Sequence, residues 1–284
     1  PDVSFGKGAP KMAEFLKAHE DDYGYEARII PKETYKGETV SSSRIREAIR
    51  NGEEYDAKVM LGGPLIPEGE GAILVINKPE GFTSFDVIAK LKGVLHTGKL
   101  GHTGTLDPMA TGVLPVLIGK ATKLCDELTA KQKTYETVMQ LGITTDTQDT
   151  TGKIINERTV NVSEEDVKKV IKTFIGDIDQ IPPMYSAIKI DGKKLCDLAR
   201  SGKEVERKPR HIIIHDIEIT EINFPFVSMR VNCGKGTYIR TLCHDIGEKL
   251  GCGACLQRLE RIYSNGFSIE NAVTLEEAAA LAAE

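Results

Sequence analysis

The sequence lacks several features that would assign it to a familiar class. Its 284 residues contain no tryptophan and only eight tyrosines and eight phenylalanines. No apolar run approaches the ~20 residues needed to cross a bilayer, and the start has no secretory signal pattern. We therefore expect a cytoplasmic protein without a membrane partner. The chain opens on Pro1 rather than on methionine, and we interpret it as a fragment or as the processed tail of something longer.

Several catalytic and metal-binding signatures are also missing. The sequence contains no HExxH, no GxSxG and no second CxxC pair, which argues against a zinc protease and an α/β-hydrolase. The six cysteines include Cys252 and Cys255 at CxxC spacing, but a zinc site needs four ligands. We therefore predict reduced thiols and no metal.

The charge of the chain is unevenly distributed. A net charge of −5 argues mildly against a nucleic-acid partner, but attraction depends on local fields rather than on the total. Between Asp86 and Asp107 every charged residue is basic, and residues 187–210 carry eight lysines and arginines against four acidic residues. Two basic patches suit a bounded RNA footprint, although either patch alone would be an ordinary solvated surface.

Glycine and proline divide the chain near residues 61–71, where no hydrophobic periodicity is present. We place a linker at 65–71, between a fragment at 1–64 and a main domain at 72–284. The fragment should contain helices at 11–20 and 43–51. In the main domain strands outnumber helices and do not alternate with them regularly. This pattern favours an α+β fold with a mostly antiparallel sheet.

The individual elements of the main domain follow from hydrophobic periodicity, capping and turn signals. Strand 134–142 alternates, with Tyr135 on its apolar face. The other strands are predicted at 73–76, 112–119, 187–190, 211–222 and 227–233, and the helices at 85–94, 163–174, 194–200, 238–250 and 275–283. A capping box from Ser163 to Asp166 opens the helix at 163–174.

The densest group of unusual residues is the segment 98–112, with the sequence Gly-Lys-Leu-Gly-His-Thr-Gly-Thr-Leu-Asp-Pro-Met-Ala-Thr-Gly. Its four glycines let the backbone approach a ligand closely, and Asp107 is its single carboxylate. A long loop between a helix and a buried strand usually has a function. The alternative is a tight surface loop in which Asp107 caps a turn. Residue types alone leave both interpretations open.

Five motifs, in this order, resemble the TruB family of tRNA pseudouridine synthases across residues 71–275. They occupy residues 77–84, 101–114, 133–135, 182–189 and 233–242. Any one of them would be weak evidence, but five in order are specific. The resemblance implies a pseudouridine synthase fold, a mixed and largely antiparallel sheet with flanking helices. It also implies isomerisation of a uridine in the T-arm of tRNA, at position 55, without a cofactor and with no obligate protein partner evident.

The resemblance implies roles residue by residue. Asp107 is the essential carboxylate, as nucleophile or as base and charge partner, and Arg240 is the ion-pair partner that keeps it ionised and aimed. Tyr135 stacks on a uracil that has been flipped out of the RNA, and its phenol can handle a proton. Standing alone, Arg240 would be an ordinary surface arginine and Tyr135 a core aromatic. The implied substrate-binding residues are Lys78, His102, Tyr185, Lys189 and Tyr238.

The first 64 residues resemble a different family, on residues 3–8, 11–20 and 40–47. They look like the end of the FMN adenylyltransferase domain of bifunctional riboflavin kinase/FAD synthetases. The resemblance implies that Ser43 and Arg46 once held phosphate at a helix start. The front half of that domain, with its nucleotide loop, is absent, so we expect a small α/β remnant.

Two alternative functions remain open, and one domain of the family is expected to be incomplete. The chain could be an FMN adenylyltransferase-related nucleotide-binding protein, or a catalytically silent RNA-binding module on the same fold. The TruB pattern usually continues into a small carboxy-terminal RNA-binding domain. Here residues 275–284 would be all that remains of it, so we expect that domain to be truncated or absent.

Overall fold

In this computed structural model the described residues are 71–281, apart from 96–98, 130–131 and 191. Before residue 71 they are Thr34–Tyr35, Glu38–Thr39 and residues 44, 45, 47, 50 and 51. The chain divides into two compact units, Pro1–Gly62 and Gly63–Glu284. The helix predicted at 11–20 lies outside the described residues.

The described part of the first unit contains a short hairpin and part of a helix. Strands β1 (Thr34–Tyr35) and β2 (Glu38–Thr39) pair antiparallel. Residues 44, 45, 47 and 50 are helical, within the helix predicted at 43–51. The phosphate-binding residues predicted for this helix, Ser43 and Arg46, lie outside the described residues.

The second unit contains the remaining elements. Its strands are β3 (Gly71–Lys78), β4 (Leu100–His102), β5 (Thr111–Gly119), β6 (Lys133–Leu141), β7 (Ile143–Thr145), β8 (Ile154–Glu157), β9 (Gly176–Gln180), β10 (Lys189–Ile190), β11 (Lys193–Lys194), β12 (Arg210–Asn223), β13 (Phe226–Cys233), β14 (Ala254–Ser264) and β15 (Phe267–Ser268). Its helices are α1 (Ser84–Leu95), α2 (Cys125–Thr129), α3 (Glu164–Lys172), α4 (Leu195–Arg200), α5 (Ile239–Leu250) and α6 (Leu275–Leu281), with 3₁₀ turns at Lys120–Leu124 and Ile269–Asn271.

The described residues build one nine-stranded sheet in the order β3-β5-β14-β6-β13-β12-β9, with β4 beside β5 and β15 beside β14. The β5–β14 pair is parallel, and the other pairs in this sheet are antiparallel. The sheet is therefore mixed and largely antiparallel, with flanking helices, which confirms the predicted fold class.

Strand β14 lies in the middle of this sheet, yet the periodicity did not predict it. Its register against β6 shifts twice, between Leu256 and Arg258 and between Arg261 and Tyr263. Each irregularity moves later side chains out of simple alternation. A strand of eleven residues therefore has no period-2 pattern in its sequence.

Helix α5 packs on the sheet and positions the residues at its start. Its buried positions include Ile239, Leu242 and Ile246, and each large apolar side chain buried in this way stabilises the fold by roughly 1.5–3 kcal/mol. Gly251, in the left-handed conformation with φ 82°, ends the helix. Packing along α5 therefore fixes the orientation of Arg240 in its first turn.

The predicted capping box is present at the start of α3. Ser163 Oγ accepts a hydrogen bond from the Asp166 backbone N–H, and the Asp166 carboxylate accepts one from the Ser163 backbone N–H. The helix ends at Lys172, two residues before the predicted end.

Within the described residues, no helix is both long enough and apolar enough to cross a membrane. The six cysteines are free thiols.

Candidate active site

The loop that carries Asp107 connects β4 to β5 and is held on one side by Ser84 and Lys78. Ser84 Oγ, at the start of α1, accepts a hydrogen bond from the Leu106 N–H at 2.9 Å and donates to the Leu106 carbonyl at 3.3 Å. Lys78 Nζ, at the end of β3, donates to the carbonyl of Pro108 at 3.3 Å. It also donates to the carbonyls of Pro79 at 2.8 Å and Phe82 at 2.6 Å.

The other side of the loop is held by β14 and the turn after it. Arg261 donates from Nε to the Val113 carbonyl at 2.7 Å and from Nη2 to the Gly104 carbonyl at 3.1 Å. Asn265 Nδ2 donates to Thr103 Oγ1 at 3.1 Å. Several buried polar side chains from different elements therefore fix the loop.

Gly112, at the end of this loop, must be glycine for two reasons. Its φ is 99°, in the region that L side chains rarely adopt, and a Cβ there would lie 2.3 Å from the carbonyl oxygen of Arg261. The residue allows β5 and β14 to approach closely at the point where the Asp107 loop joins β5.

The structure brings Asp107 and Arg240 together in a two-point ion pair. Arg240 Nε lies 2.7 Å from Asp107 Oδ2, and Nη2 lies 3.2 Å from Oδ1. Two further hydrogen bonds of Arg240 go to the carbonyls of Thr147 at 2.8 Å and Tyr185 at 2.9 Å. The Arg240 side chain is only 4% exposed, whereas the Asp107 side chain is 33% exposed. A buried guanidinium with four hydrogen bonds therefore holds a carboxylate that a substrate can reach.

Asp149 is a second carboxylate near this pair, and the sequence analysis did not single it out. Its Oδ2 lies 3.8 Å from Arg240 Nε. Its Oδ1 accepts hydrogen bonds from Thr147 Oγ1 at 2.7 Å, the Thr151 N–H at 3.0 Å and Thr151 Oγ1 at 2.5 Å. Residues 144–151 are rich in threonine and aspartate, a composition typical of any turn, so sequence gave no reason to prefer Asp149.

Tyr135 lies on β6, opposite Arg261 of β14 and Val231 of β13. Its side chain is buried, and burial raises the pKa of the phenol to about 12, against an opposing effect of the Arg261 charge. The phenol is therefore protonated at neutral pH. It can donate a hydrogen bond, and its ring offers an aromatic surface in the centre of the sheet.

Two further predicted residues adjoin the Arg240 side of the site. Tyr185 contacts Arg240 through its backbone carbonyl. Tyr238 directly precedes α5 and is fixed by Gln180. The Gln180 carboxamide accepts from the Tyr238 N–H at 2.9 Å and donates to the Tyr238 carbonyl at 3.1 Å. Gln180 thus fixes the start of the helix that carries Arg240.

The remaining predicted binding residues occupy different environments. His102, at the end of β4, has a buried Nδ1 without a hydrogen-bond partner among the described residues, and burial lowers its pKa, with a smaller effect of Arg261. Lys78 has its amine against backbone carbonyls rather than in solvent, and burial lowers its pKa to about 8. Lys189 is exposed on β10.

Lys189 belongs to an open, basic cavity of about 460 Å³, which we call the lysine cavity. It lies between the β10–β11 hairpin and α4. Its lining residues are Lys189, Gly192, Lys193, Lys194, Asp197, Leu198, Ser201 and Lys203. Among these described lining residues, four amines and one carboxylate make it suited to an anionic ligand.

The chain matches two family models. The TruB family pseudouridylate synthase (N terminal domain) model matches residues 92–239. The tRNA pseudouridylate synthase B C-terminal domain model matches residues 240–284.

Curated proteins of the same kind are similar over most of the chain. The tRNA pseudouridine synthase B of Clostridium kluyveri is 50% identical over 204 residues, which cover 72% of this chain and 71% of that protein. The tRNA pseudouridine synthase B of Azoarcus sp. is 49% identical over 204 residues, covering 72% of this chain and 68% of that protein.

Two solved structures have a similar fold. One is an H/ACA RNP bound to a substrate RNA containing 2′-deoxyuridine, 32% identical with a TM-score of 0.56, in which the match covers 73% of this chain and 52% of the other. The second is a Cbf5-Nop10-Gar1 complex, 30% identical with a TM-score of 0.60, covering 88% of this chain and 60% of the other. The chain thus spans about half to three fifths of the chains in these structures.

Proposed function

Because the chain belongs to the TruB family of pseudouridylate synthases, we propose that it isomerises the T-arm uridine at position 55 of tRNA, with Asp107, Tyr135 and Arg240 as catalytic residues. The observation that carries the proposal is the two-point contact between Asp107 and Arg240, with its shortest distance at 2.7 Å. Four of the five motifs supply groups at or next to this contact, which are the Asp107 loop, the Lys78 amine that binds the loop, the Tyr185 carbonyl and the helix of Arg240.

The reaction is a rearrangement within one nucleotide. The N1–C1′ bond breaks, the base turns, and a C5–C1′ bond forms. C5 then loses a proton and N1 gains one, so no atom or electron enters or leaves. What the protein must supply is a pocket that holds the free base, a group that assists at the sugar, and a route for one proton.

Asp107 is suited to the group that assists at the sugar. Its side chain is one-third exposed, and the loop on both sides of it is fixed by Ser84, Lys78 and Arg261. Acting as a nucleophile on C1′ or as a base and charge partner requires the same ionised, aimed carboxylate. Arg240 fixes the orientation of the Asp107 carboxylate through two parallel hydrogen bonds from its planar guanidinium.

Tyr135 is suited to contact the displaced base. A phenol that stays protonated at neutral pH can donate a hydrogen bond, and its ring can stack on uracil. The target base must first leave the RNA stack, which costs a few kcal/mol. Three further residues lie on segments next to the catalytic loop and Arg240, where they can hold the flipped-out nucleotide. They are His102, Tyr185 and Tyr238.

The lysine cavity is suited to the RNA backbone. Its described lining residues include four lysines and one carboxylate on an open surface. The lysines are Lys189, Lys193, Lys194 and Lys203. The basic stretch between residues 86 and 107 contributes less, because Lys90 pairs with Glu276 at 3.3 Å. We expect the lysine cavity to provide much of the electrostatic attraction for tRNA.

Position 55 is tested by incubating the purified chain alone with an unmodified tRNA transcript and mapping pseudouridine at nucleotide resolution. We expect modification at position 55 and none in a transcript with cytidine there. Modification only at another position, or only after a protein partner is added, would contradict the proposal. Activity of the chain alone would also remove the alternative of a silent RNA-binding module.

For the first 64 residues we infer a remnant of an FMN adenylyltransferase domain without nucleotide chemistry. The support is the resemblance of residues 3–8 and 40–47 to that domain. A 60-residue piece buries only about 60% of its unfolded surface, so a segment of this size is marginal by itself. The helix start that the sequence predicts at 43–46 also serves structure more often than phosphate binding.

This inference is tested by two assays on the same preparations. We expect residues 67–284 to modify tRNA as the whole chain does, and we expect no ATP-dependent FAD formation by the whole chain. A large loss of modification on truncation, or any FAD synthesis, would overturn the remnant interpretation.

A further inference from the structure

Arg261 is the largest fully buried side chain in the described part of the protein. It lies on β14, between β5 and β6, and belongs to neither the Asp107–Arg240 pair nor any of the five motifs. Burying a guanidinium removes its hydration, and this destabilises the fold unless strong partners compensate.

The partners of Arg261 identify what it does. Its hydrogen bonds to described residues go to the carbonyls of Gly104 and Val113. Gly104 lies three positions before Asp107 and Val113 lies six positions after it. The two residues therefore flank the loop that carries Asp107. A further nitrogen, Nη1, is buried without a hydrogen-bond partner in the described part of the chain. Arg261 is thus a brace across the two ends of one loop.

The charge of Arg261 also reaches the groups around the proposed chemistry. It opposes the effect of burial on the pKa of Tyr135, and it contributes to the lowered pKa of His102 and the pKa of about 8 of Lys78. A neutral side chain of similar length could fill the same volume without the cost of burying a charge. Arg261 lies opposite Tyr135 where β14 pairs with β6. Its positive charge can therefore act on the Tyr135 phenol.

We propose that Arg261 is a positioning residue of the reaction, one that braces both ends of the Asp107 loop and supplies a fixed positive charge beside Tyr135. The proposal rests on the proposed function of Asp107 and Tyr135. Because Arg261 is buried, it acts through these two residues and not by touching the substrate.

The test compares Arg261→Met, Arg261→Lys and the control Arg258→Met. Arg258 lies on the same strand, but its side chain is 66% exposed and pairs with Glu260. For each variant we would measure the tRNA dissociation constant, the single-turnover rate constant with saturating enzyme, and the folded fraction by circular dichroism. Rates are compared only at temperatures where every variant is folded.

We expect Arg261→Met to slow the single turnover by about 100-fold while the dissociation constant changes less than about threefold. Arg261→Lys keeps the charge but cannot bind both carbonyls with one planar fork, and we expect a loss of about tenfold. Its rate relative to the unsubstituted enzyme should fall further as pH rises, because a buried amine loses its proton where a guanidinium does not. A purely structural role would leave this ratio independent of pH.

Three results would overturn the inference. They are a single-turnover rate of Arg261→Met within fivefold of the unsubstituted enzyme, a loss explained by weaker binding, and a pH-independent ratio for Arg261→Lys. If Arg261→Met does not fold, the rate, affinity and pH ratio of Arg261→Lys decide alone. Failure of the unsubstituted chain to modify any tRNA would instead contradict the proposed function, so the two failures are distinguishable.

Discussion

The loop that carries Asp107 and the lysine cavity present charge in opposite ways. In the loop, backbone groups are bound by side chains from β3, α1, β14 and the turn after it. In the lysine cavity, three amines stand on two-residue strands and that of Lys203 follows the short helix α4, and Lys193, Lys194 and Lys203 are exposed. One region fixes a single carboxylate, whereas the other offers several exposed charges.

This difference matches the two tasks that an RNA-modifying enzyme must perform. Chemistry at one carbon atom needs a group held to within a fraction of an ångström, which requires buried, fully bonded supports. Attraction to a phosphate backbone needs charge but little geometry. Substitutions in the loop should therefore change the rate constant, and substitutions in the lysine cavity should change affinity.

The largest expected effect is that of Asp107→Asn. The amide has the same shape but is neither ionised nor nucleophilic, so we expect the single-turnover rate to fall at least about 1,000-fold while tRNA affinity stays within a few-fold. The measurements are rapid-quench single turnover and filter binding with the same tRNA.

Asp126→Asn is the matched control, because Asp126 is exposed on α2. It should have the rate and affinity of the unsubstituted chain. If Asp107→Asn turned over within tenfold of the unsubstituted chain, the fixed carboxylate would lose its assigned role and the comparison would fail.

An intermediate effect is expected when the lysine cavity loses three charges. With three lysines replaced by glutamine, we expect about tenfold weaker tRNA binding at low salt, because fewer counterions are released from the phosphates. The slope of log affinity against log salt should become shallower by about 2 to 3, and the single-turnover rate at saturation should stay the same. The substituted residues are Lys193, Lys194 and Lys203.

The control removes three exposed lysines from a different surface, α3, leaving the same net charge. They are Lys168, Lys169 and Lys172. Equal weakening by both triple substitutions would mean that total charge, not the lysine cavity, sets affinity. A rate change in the cavity variant would mean that the two regions are not separate.

The smallest expected effect concerns Asp245, on the helix that carries Arg240 but away from its fixed end. Burial, with a smaller contribution from Glu248, raises the pKa of Asp245 to about 6. The folded state therefore binds this proton more tightly than the unfolded state, and the associated stability is lost as pH rises from about 4 through about 6. After allowance for partial exposure, Asp245→Asn should stabilise the protein at pH 7.5 by about 1 kcal/mol.

Urea unfolding at pH 7.5 and pH 4.5 measures this effect. The gain should shrink to about a third at pH 4.5, where the folded carboxyl is neutral and only the unfolded chain still ionises. Asp216→Asn, at an exposed position of β12, should change stability at neither pH. A gain of the same size at both pH values would show that the amide acts through packing or hydrogen bonding rather than through charge.

Much of the fold could be predicted because local patterns and tertiary contacts agree. The alternation along β6 and the capping box at Ser163 both match the structure. Strand β14 could not be predicted, because two register shifts remove its alternation and a buried arginine resembles an exposed one in sequence. An interior strand of the sheet was therefore the element that the sequence did not predict.

The candidate site divides in a similar way. Asp107, Tyr135 and Arg240 lie in motifs and were identified from them. Arg261 and Asp149 were missed, because their significance depends on which distant residues they contact. The Lys78 amine, for which the resemblance implies substrate binding, is buried and donates hydrogen bonds to nearby carbonyls, and the sequence did not predict these contacts.

Side chains from several elements hold the Asp107 loop, and this limits how far the activity can be transferred to another protein scaffold. Loops that hold their shape through their own turns can be moved between scaffolds. This one takes hydrogen bonds from residues more than 150 positions away in the chain, at Arg261 and Asn265, and the backbone of β14 leaves room only for glycine at Gly112. A designer who copied residues 100–112 alone would obtain a peptide with unsatisfied carbonyls and an unaimed carboxylate. The smallest transferable unit is the loop together with β3, β5, β14 and the first turns of α1 and α5.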